Sequence, residues 1–455
     1  MQPDGDSPNQ GSEPGPNDKA RQEAGASKMG MAAWCFYDWA NSAFPTIIGT
    51  FVFATYFASA VAPDEKTGFS IWSTAVAVSG FAIAILAPIL GSIADQGGRR
   101  LPWLGVLTAI LAIASAGLWF VEPDPSFIVL GIILFVIATV AFEFGQVFYN
   151  AMLGDIAPPH MLGRLSGWAW GLGYFGGIFA LLICLFGFIQ TDIPPFGLDK
   201  EAAEHVRAVG PLVGLWIAIF SIPVFVVLRE PSRPHAPPPL QAVRKGLLTL
   251  GRTLKSLPKR KNLFTFLIAR MIYTDGLNTL FALGGVFAAT AMGMETADVI
   301  IFGIALNVTA GLGAVLFGFL DDRLGAKPVI LISVGGLSVF AIPLLFTTNV
   351  TIFWTFALII GIFMGPAQAA SRTLMTKLSP PELRTEYFGL YALSGKATSF
   401  VGPLAVSMIT VMADSQRVGM SVILAFFIVG LVLLLLVKEP GREPTGGTAT
   451  RSAGA

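Results

Sequence analysis

Charged side chains inside apolar stretches of this sequence are the first candidates for binding a ligand or carrying a proton. Asp38 is one of them, because it lies within 34–45, which opens the first long apolar run. An ionisable side chain is expensive in a bilayer, so it is rare there and usually faces a cavity or a partner. Its pattern recurs in the second half, and the matched trios are Asp38, Asn41 and Phe44, and Asp275, Asn278 and Phe281. On a helix each trio shares one face, which indicates two related halves.

Further charges lie well inside apolar runs, and the full set is Asp38, Glu143, Arg270, Asp275, Arg372 and Lys396. Three acids and three bases can pair internally, which lowers the cost of placing them in a membrane. Glu143, Gln146 and Asn150 are spaced i, i+3 and i+7 and therefore share one helix face. Gln368 and Arg372, at i and i+4, repeat part of that stripe in the second half.

These side chains predict a polar cavity in which a basic group meets an anion, and an acid meets a cation or carries a proton. Such a cavity suits a zwitterion or a small organic acid. The candidates for ligand or proton contact, with aromatic residues for the walls, are Asp38, Asn41, Glu143, Gln146, Tyr149, Asn150, Trp168, Arg270, Tyr273, Asp275, Asn278, Gln368, Arg372 and Lys396. The alternative is that the charges form fixed pairs that lock helices together, as polar amides also do.

The elements that position these residues are predicted to be membrane-spanning helices. The chain of 455 residues is 54% hydrophobic and only 13% charged, whereas soluble domains carry roughly a quarter charged residues. A spanning helix needs roughly 20 apolar residues, and about twelve runs qualify: 32–61, 70–95, 101–121, 126–156, 163–189, 210–228, 262–292, 298–320, 327–347, 351–377, 386–412 and 418–437. We therefore expect an all-α membrane protein whose two termini lie on one side.

Lysine and arginine concentrate in one set of loops, and such loops normally face the cytoplasm. The connection 229–261 carries many of them, whereas opposite loops such as 122–124 are mostly acidic. We therefore expect both termini in the cytoplasm, with no cleavable signal peptide. Within the connection, 240–257 predicts a basic amphipathic helix on anionic headgroups, or alternatively a solvated linker. Disordered tails at 1–30 and 439–455 are expected to flank six-helix bundles at 31–228 and 262–438.

Two further motifs repeat between the halves. The first is Gly91-x-x-x-Asp95-x-x-Gly98-x-Arg100, matched by Gly318-x-x-x-Asp322-x-x-Gly325-x-Lys327 at a displacement of 227 positions. The second comprises Gln146, Gly167 and Gly173, matched by Gln368, Gly389 and Gly395 at a displacement of 222. Two six-helix halves in parallel repeat, with a site at their interface near the membrane midplane, form a transporter architecture.

The Gly-x-x-x-Asp loop of both halves resembles the signature of the major facilitator superfamily. The runs 37–44, 148–153, 171–177 and 391–396 are similar to its vacuole-effluxer-like branch, which includes fungal vacuolar amino-acid effluxers and bacterial members. The resemblance covers all twelve spans and implies two pseudo-symmetric six-helix bundles that transport amino acids or related small metabolites. It also implies a cytoplasmic gate at Gly91, Asp95, Arg99, Arg100, Gly318, Asp322, Arg323 and Lys327. Because Gln96 replaces the usual arginine, we expect the first-half loop to latch less firmly.

The sequence predicts a secondary active transporter that works by alternating access. Coupling to protons is expected because midplane carboxylates can titrate and no nucleotide motif is present. We expect a monomer in a bacterial inner membrane. The alternatives are an uncoupled facilitative carrier, and a transporter-like receptor or scaffold that binds a ligand without cycling.

Enzymatic, metal, cofactor and nucleic-acid functions are not expected. The stretch 389–396 only superficially resembles a phosphate loop, because Ala397 stands where Ser or Thr would bind magnesium. The three histidines, His160, His205 and His235, fall in loops and form no metal motif. Cys35 and Cys184 lie in apolar runs, which argues against a disulfide or zinc site. The net charge of +1 gives no reason to expect nucleic acid as a partner.

Overall fold

The computed structural model of the protein describes residues 27–230 and 238–440, and these residues form helices and turns without strands. Eleven helices in the described ranges are long and apolar enough to cross a membrane. Another helix of 32 residues, Lys261–Met292, carries charges that lower its hydropathy. The prediction of an all-α membrane protein with about twelve spanning helices is confirmed.

We number these helices in chain order. They are α1 (Lys28–Val61), α2 (Glu65–Gly97), α3 (Leu101–Phe120), α4 (Pro125–Ile156), α5 (Pro159–Ile189), α6 (Glu204–Val227), α7 (Lys261–Met292), α8 (Asp298–Leu324), α9 (Ala326–Phe346), α10 (Val350–Leu378), α11 (Pro381–Ala413) and α12 (Gln416–Leu435). Helices α1–α6 form the first half and α7–α12 the second. We call the side on which the described chain ends lie the terminal side.

Each half packs around apolar side chains of its own helices. Phe53, Trp72 and Phe135 are buried in the first half, and Phe353 and Phe427 are buried in the second. A polytopic protein must also present apolar side chains to lipid, and exposed side chains serve this role, among them Phe69, Phe81, Ile113, Val129 and Val226. The outer surfaces of both bundles are therefore apolar, and between the bundles Phe144 and Val147 of the first half also pack into the apolar core of the second.

Turn glycines end the second helix of each half. Gly98 follows α2 with φ 68°, and Gly325 follows α8 with φ 95°. Positive φ values favour glycine because it has no Cβ. The glycines at these matched positions of the repeated motif therefore let the chain reverse and bring the next helix alongside.

Two helices are irregular where the charged residues lie. Helix α1 is α-helical up to Asn41 and π-helical over Phe44–Phe51, where Pro45 has no backbone N–H to donate. Helix α11 is interrupted between Lys396 and Val401. Pro403 explains this interruption, because it cannot donate to the carbonyl of Ser399 in a continuous helix.

The connection between the halves contains a helix, Pro239–Ser256, which we call the linker helix. Its buried stripe is formed by Ala242, Gly246, Leu250 and Thr253. Gly246 packs directly against Ile93 of α2, since a Cβ on Gly246 would lie 2.9 Å from the Ile93 backbone. The linker helix is thus docked on the protein, in addition to presenting exposed apolar side chains such as Leu240 and Leu247.

Candidate functional site

A polar cavity of about 290 Å³ lies between the two halves. Its walls come from α1, α4 and α5 of the first half and from α7, α10 and α11 of the second. The predicted residues that line it are Asp38, Asn41, Glu143, Gln146, Asn150, Arg270, Tyr273, Asn278, Gln368, Arg372 and Lys396. The fold therefore brings charges from distant parts of the sequence into one space.

Arg372 of α10 is held by the opposite half of the protein. Its Nη1 lies 3.2 Å from Asp38 Oδ2 and also donates to Asn150 Oδ1 at 3.1 Å. Its Nε donates to Ser166 Oγ at 2.9 Å, and its Nη2 to the Ser166 carbonyl at 2.7 Å. Arg372 is only 1% exposed, so this is a buried ion pair in which each guanidinium nitrogen has a hydrogen-bond acceptor, and such additional bonds offset the cost of burial.

Aromatic rings surround the same guanidinium. The Arg372 Cζ lies 5.0 Å from the ring centroid of Trp34, 5.6 Å from that of Tyr149 and 5.7 Å from that of Trp170. Such contacts attract a cation to the ring face and are stronger when water is excluded. All three rings belong to the first half, so they reinforce the attachment of α10 to it.

A second ion pair crosses between the halves on the wall of the cavity. Lys396 Nζ of α11 lies 2.6 Å from Glu143 Oε1 of α4. The two side chains are 33% and 18% exposed, against 2% and 9% for Arg372 and Asp38. Because exposed ion pairs contribute little stability, a charged ligand can exchange with one partner of Lys396–Glu143 more easily than with Arg372–Asp38.

Arg270 of α7 has no carboxylate partner among the described residues. Its Nη1 donates to the Tyr391 carbonyl at 2.6 Å and to Ser394 Oγ at 2.7 Å, and its guanidinium lies 3.4 Å from the Tyr391 ring centroid. The cavity is lined by two acids, Asp38 and Glu143, and by three bases. It therefore holds one unneutralised positive charge, which favours an anionic group on the ligand.

A smaller cavity of about 140 Å³ adjoins the first. The two share Ser42, Pro45, Trp170 and Gly173 as wall residues. Beside them, Gln368 Nε2 donates to Tyr174 Oη at 2.9 Å, which is another polar contact between the halves. Tyr174 was not among the predicted site residues.

The first repeated loop joins the two halves on the terminal side. Asp95 accepts the backbone N–H groups of Thr385 at 3.2 Å and Glu386 at 2.8 Å, which begin the helical part of α11. A carboxylate is stabilised at a helix N-terminus, where backbone N–H groups are free and the dipole is positive. Arg100 adds a bond from Nε to Thr385 Oγ1 at 2.7 Å and an ion pair with Asp155.

The second repeated loop makes the equivalent contact with the start of α5. Asp322 accepts the backbone N–H of Gly163 at 2.8 Å and lies 2.5 Å from Arg164 Nε. Close backbone approach accompanies both contacts. A Cβ on Gly91 would lie 2.4 Å from the Thr385 carbonyl, and one on Gly318 would lie 3.0 Å from the Gly163 carbonyl. The two loops therefore close the terminal side by related geometry.

The comparisons with known proteins agree with this architecture. The sequence matches the family described as "Vacuole effluxer Atg22 like" over residues 26–443. The chain belongs to this family. It is 26% identical to the uncharacterized MFS-type transporter YxiO of Bacillus subtilis over 416 residues, which cover 90% of this chain and 94% of YxiO.

Fungal proteins are also similar to this Atg22-like chain. Autophagy-related protein 22 of Cryptococcus neoformans is 26% identical over 309 residues, which cover 64% of this chain and 55% of the fungal protein. Among solved structures, the proton:xylose symporter XylE superposes with a TM-score of 0.70 at 13% identity, covering 90% of this chain and 96% of XylE. The human organic anion transporter MFSD10 gives 0.68 at 11% identity, covering 89% and 98%.

These likenesses establish the major facilitator fold and confirm the predicted family. The Atg22-like chain is a multi-pass membrane transporter of the major facilitator superfamily and not an enzyme. A small molecule is therefore its substrate.

Some predicted residues of the Atg22-like site lie away from the cavity wall. Tyr149 lies behind Asp38 and donates to the Trp34 carbonyl at 3.0 Å. Trp168 instead packs edge-on against Phe319 of α8, with ring centroids 6.0 Å apart. Because residues two apart on a helix point in nearly opposite directions, Trp170 takes the wall position that was expected of Trp168.

Asp275 is also absent from the cavity wall. It is buried in the second half, beside Thr398 in the interrupted part of α11. The repeat, and the position of Asp275 inside an apolar run, predicted that it would share the cavity with Asp38. The structure separates them.

Several predicted gate residues do not bridge the halves of the Atg22-like fold. Arg99 and Arg323 are exposed, and Lys327 donates from Nζ to the Leu435 carbonyl within the second half at 2.9 Å. Arg323 forms no ion pair among the described residues. The first loop, with Gln96 at the matched position, therefore does not lack an ion pair that the second loop has. The expectation that the first loop latches less firmly is therefore not supported by the contacts.

Sequence reasoning missed two glutamates that brace the repeated loops. Glu230 accepts the N–H groups of Arg100 at 2.9 Å and Leu101 at 2.8 Å, at the start of α3. Glu439 accepts those of Ala326 and Lys327, both at 3.0 Å, at the start of α9. The signal was the repeated basic-Glu-Pro triplet at 229–231 and 438–440. Glu439 was expected in the disordered tail, but the structure places it on the second bundle.

Proposed function

We propose that this transporter is secondary active and moves a small polar metabolite, an amino acid or a related zwitterion or organic acid, with proton coupling. The observation that carries the proposal is a cavity shared by both halves and crossed by two ion pairs, Asp38–Arg372 and Glu143–Lys396. Such an interface site suits alternating access, in which one half rocks against the other.

The two ion pairs supply different parts of the proposed cycle. The buried Asp38–Arg372 pair favours the state in which the terminal side is closed. Glu143 and Lys396 are more exposed and can exchange partners with a ligand. An anionic group of the substrate binds Lys396 or Arg270, and a cationic group binds Glu143. Exchange of this kind lets binding energy offset the loss of contacts between the halves.

The surplus positive charge of the cavity supports a substrate with at least one carboxylate or similar anion. Arg270 leaves its Nε and Nη2 donors available, since the bonds it forms to Tyr391 and Ser394 use Nη1. A planar guanidinium can bind a carboxylate through two parallel hydrogen bonds. Tyr273 and Trp170 would line the space beside the bound group.

The membrane arrangement is part of the proposal. Basic residues at the terminal side favour a cytoplasmic location of both termini under the positive-inside rule, in a bacterial inner membrane. Arg244, Lys245, Arg252 and Lys255 of the linker helix would contact anionic headgroups. We propose a monomer as the working unit.

A ligand screen followed by vesicle transport tests the proposal. The purified full-length protein is screened against amino acids and organic acids for a rise in apparent melting temperature, because a ligand of the folded state stabilises it. Hits are then assayed in proteoliposomes with and without an imposed pH gradient. We expect accumulation that follows the gradient and disappears with an uncoupler.

Lys396→Ala should abolish accumulation, and Lys66→Ala, which removes an exposed lysine in the first turn of α2, is the matched control. Equilibration without accumulation in the wild-type protein would indicate an uncoupled carrier. Ligand binding without counterflow exchange would indicate a receptor and contradict transport.

A further inference from the structure

Asp275 is a buried carboxylate without a counter-ion. It is 3% exposed, and no basic side chain pairs with it among the ion pairs of the described residues. By contrast, Asp38 is paired with Arg372 and Glu143 with Lys396. Burying an isolated carboxylate as an ion is unfavourable, so such a group binds a proton instead.

The repeat explains why Asp275 lacks a partner. Asp38 meets Arg372, and the position matched to Arg372 in the first half is Asn150, 222 positions earlier. A symmetric arrangement would offer Asp275 this neutral amide. Asn150 itself is engaged by Arg372 at 3.1 Å. The second half therefore retains the acid of the motif while the first half has no corresponding base.

The interruption of α11 places a hydroxyl group beside Asp275. Thr398 lies in the non-helical stretch between Lys396 and Val401, beside the Asp275 side chain. Interrupted membrane helices commonly form ion or proton sites, because their backbone and side chains can rearrange there. Lys396 precedes Thr398 by two residues in the same segment. It forms an ion pair with Glu143 of the other half.

Other ionisable groups around α7 are engaged elsewhere or lie at helix ends. Away from the helix ends, the other ionisable residues of α7 and of the helices that pack against it are Arg270 and Tyr273 on α7, Arg372 on α10, and Tyr391 and Lys396 on α11. Arg270 bonds Tyr391 and Ser394, and Tyr273 Oη lies 2.6 Å from Ser371 Oγ. Helices α8 and α12 carry ionisable residues only near their ends, which are Asp298, Asp321, Asp322, Arg323 and Arg417.

We propose that Asp275 is the proton-binding site of the transport cycle, separate from the substrate cavity and controlled by the interrupted segment of α11. This inference rests on the proposed proton-coupled transport. With the terminal side closed, the carboxyl group is protonated and bonded to Thr398. When the halves separate, Lys396 leaves Glu143, and the segment that carries Lys396 and Thr398 moves. The O–H bond of Asp275 then breaks, the proton passes to water, and the Lys396 ammonium compensates the new carboxylate.

The test compares Asp275→Asn and Asp275→Glu with Asp298→Asn, which removes an exposed acid. Infrared difference spectra of the full-length protein in lipid detect a protonated carboxyl group without any substrate. We expect the wild-type spectrum at neutral pH to contain that band, and Asp275→Asn to lose it. Asp298→Asn should keep it. A spectrum unchanged by Asp275→Asn would overturn the assignment, even if no transport substrate has been found.

Transport assays then separate coupling from substrate movement. Asp275→Asn should lose pH-driven accumulation but keep counterflow exchange, and Asp275→Glu should recover accumulation. Persistent pH-driven accumulation in Asp275→Asn refutes the role. If sodium raises the apparent melting temperature only when Asp275 is present, the site binds a metal cation and the proton assignment is wrong. Should Asp275→Asn fail to fold, Thr398→Val keeps the carboxyl group and must shift its infrared band.

Discussion

The Asp38 region of α1 and the Asp275 region of α7 share one sequence motif but differ in their surroundings. Asp38 lines the cavity and pairs with Arg372 of the opposite half at 3.2 Å. Asp275 lies behind the cavity wall, beside Thr398 of its own half. The difference shows that a duplicated acid can hold two bundles together in one half while remaining uncompensated in the other.

The two halves do not differ in this way on the terminal side, where matched acids make matching contacts. Asp95 and Asp322 both accept backbone N–H groups at the start of a helix from the opposite half. Glu230 and Glu439 brace the matched loops in the same way. The duplicated parts of the gate have therefore kept their geometry, whereas the duplicated acids near the cavity have diverged.

The largest expected effect comes from breaking the buried pair of the first region. Arg372→Met leaves the Asp38 carboxylate buried without a partner, which should lower the free energy of unfolding by about 3–5 kcal/mol. Denaturant titration of the purified protein in detergent measures this change. The double variant Asp38→Asn with Arg372→Met should recover most of the loss. A double variant as unstable as the single one would show that the pair is not the cause.

The gate carboxylates should give the next largest effect. Asp95→Ala and Asp322→Ala each remove a charged acceptor of backbone N–H groups, which should weaken closure of the terminal side by about 1–3 kcal/mol. Spin labels at the exposed positions 99 and 382, one in each half, report the opening as a longer distance. Similar shifts for both variants would support equivalent gates, and a shift for only one would extend the asymmetry of the acids to the terminal side.

A smaller effect is expected from the bracing glutamates. Glu230→Gln and Glu439→Gln each remove a negative charge and one of two acceptor oxygens from the starts of α3 and α9, and a favourable charge at a helix N-terminus contributes about 0.3–1 kcal/mol. Glu439→Gln should cost more, because Glu439 also pairs with Lys377 at 2.7 Å. Thermal unfolding of the two variants side by side measures the difference, and an equal or reversed order would contradict the contribution of Lys377.

The smallest change in stability is expected at Asp275. Asn resembles the protonated carboxyl group in shape, so Asp275→Asn should change the free energy of unfolding at neutral pH by less than about 1 kcal/mol. Asp38→Asn provides the sharpest comparison, since it leaves Arg372 without its carboxylate and should destabilise the protein several times more. Denaturant titrations of both variants decide the point. Equal losses of stability in Asp275→Asn and Asp38→Asn would mean that Asp275 is ionised and paired in solution.

Much of the site was accessible from sequence because membrane burial of a charge is costly wherever the helix packs. That argument selected six charges, of which Asp275 does not line the cavity and the other five do: Asp38, Glu143, Arg270, Arg372 and Lys396. It did not select partners, since pairing depends on how α4, α10 and α11 meet. Trp168 was chosen in place of Trp170 for the same reason, because a helix that is apolar on all sides gives no signal for its inner face.

By itself, the sequence determined the number of spanning helices, the duplication and the family, since hydropathy and motif spacing are local properties of the chain. The tertiary structure alone decided which acid meets which base. Arg372 reaches Asp38 because α10 packs beside α1, α4 and α5, whereas no base of the described residues comes within ion-pair distance of Asp275. Charge pairing across the interface is set by three-dimensional proximity, which the order of residues in two diverged halves does not specify.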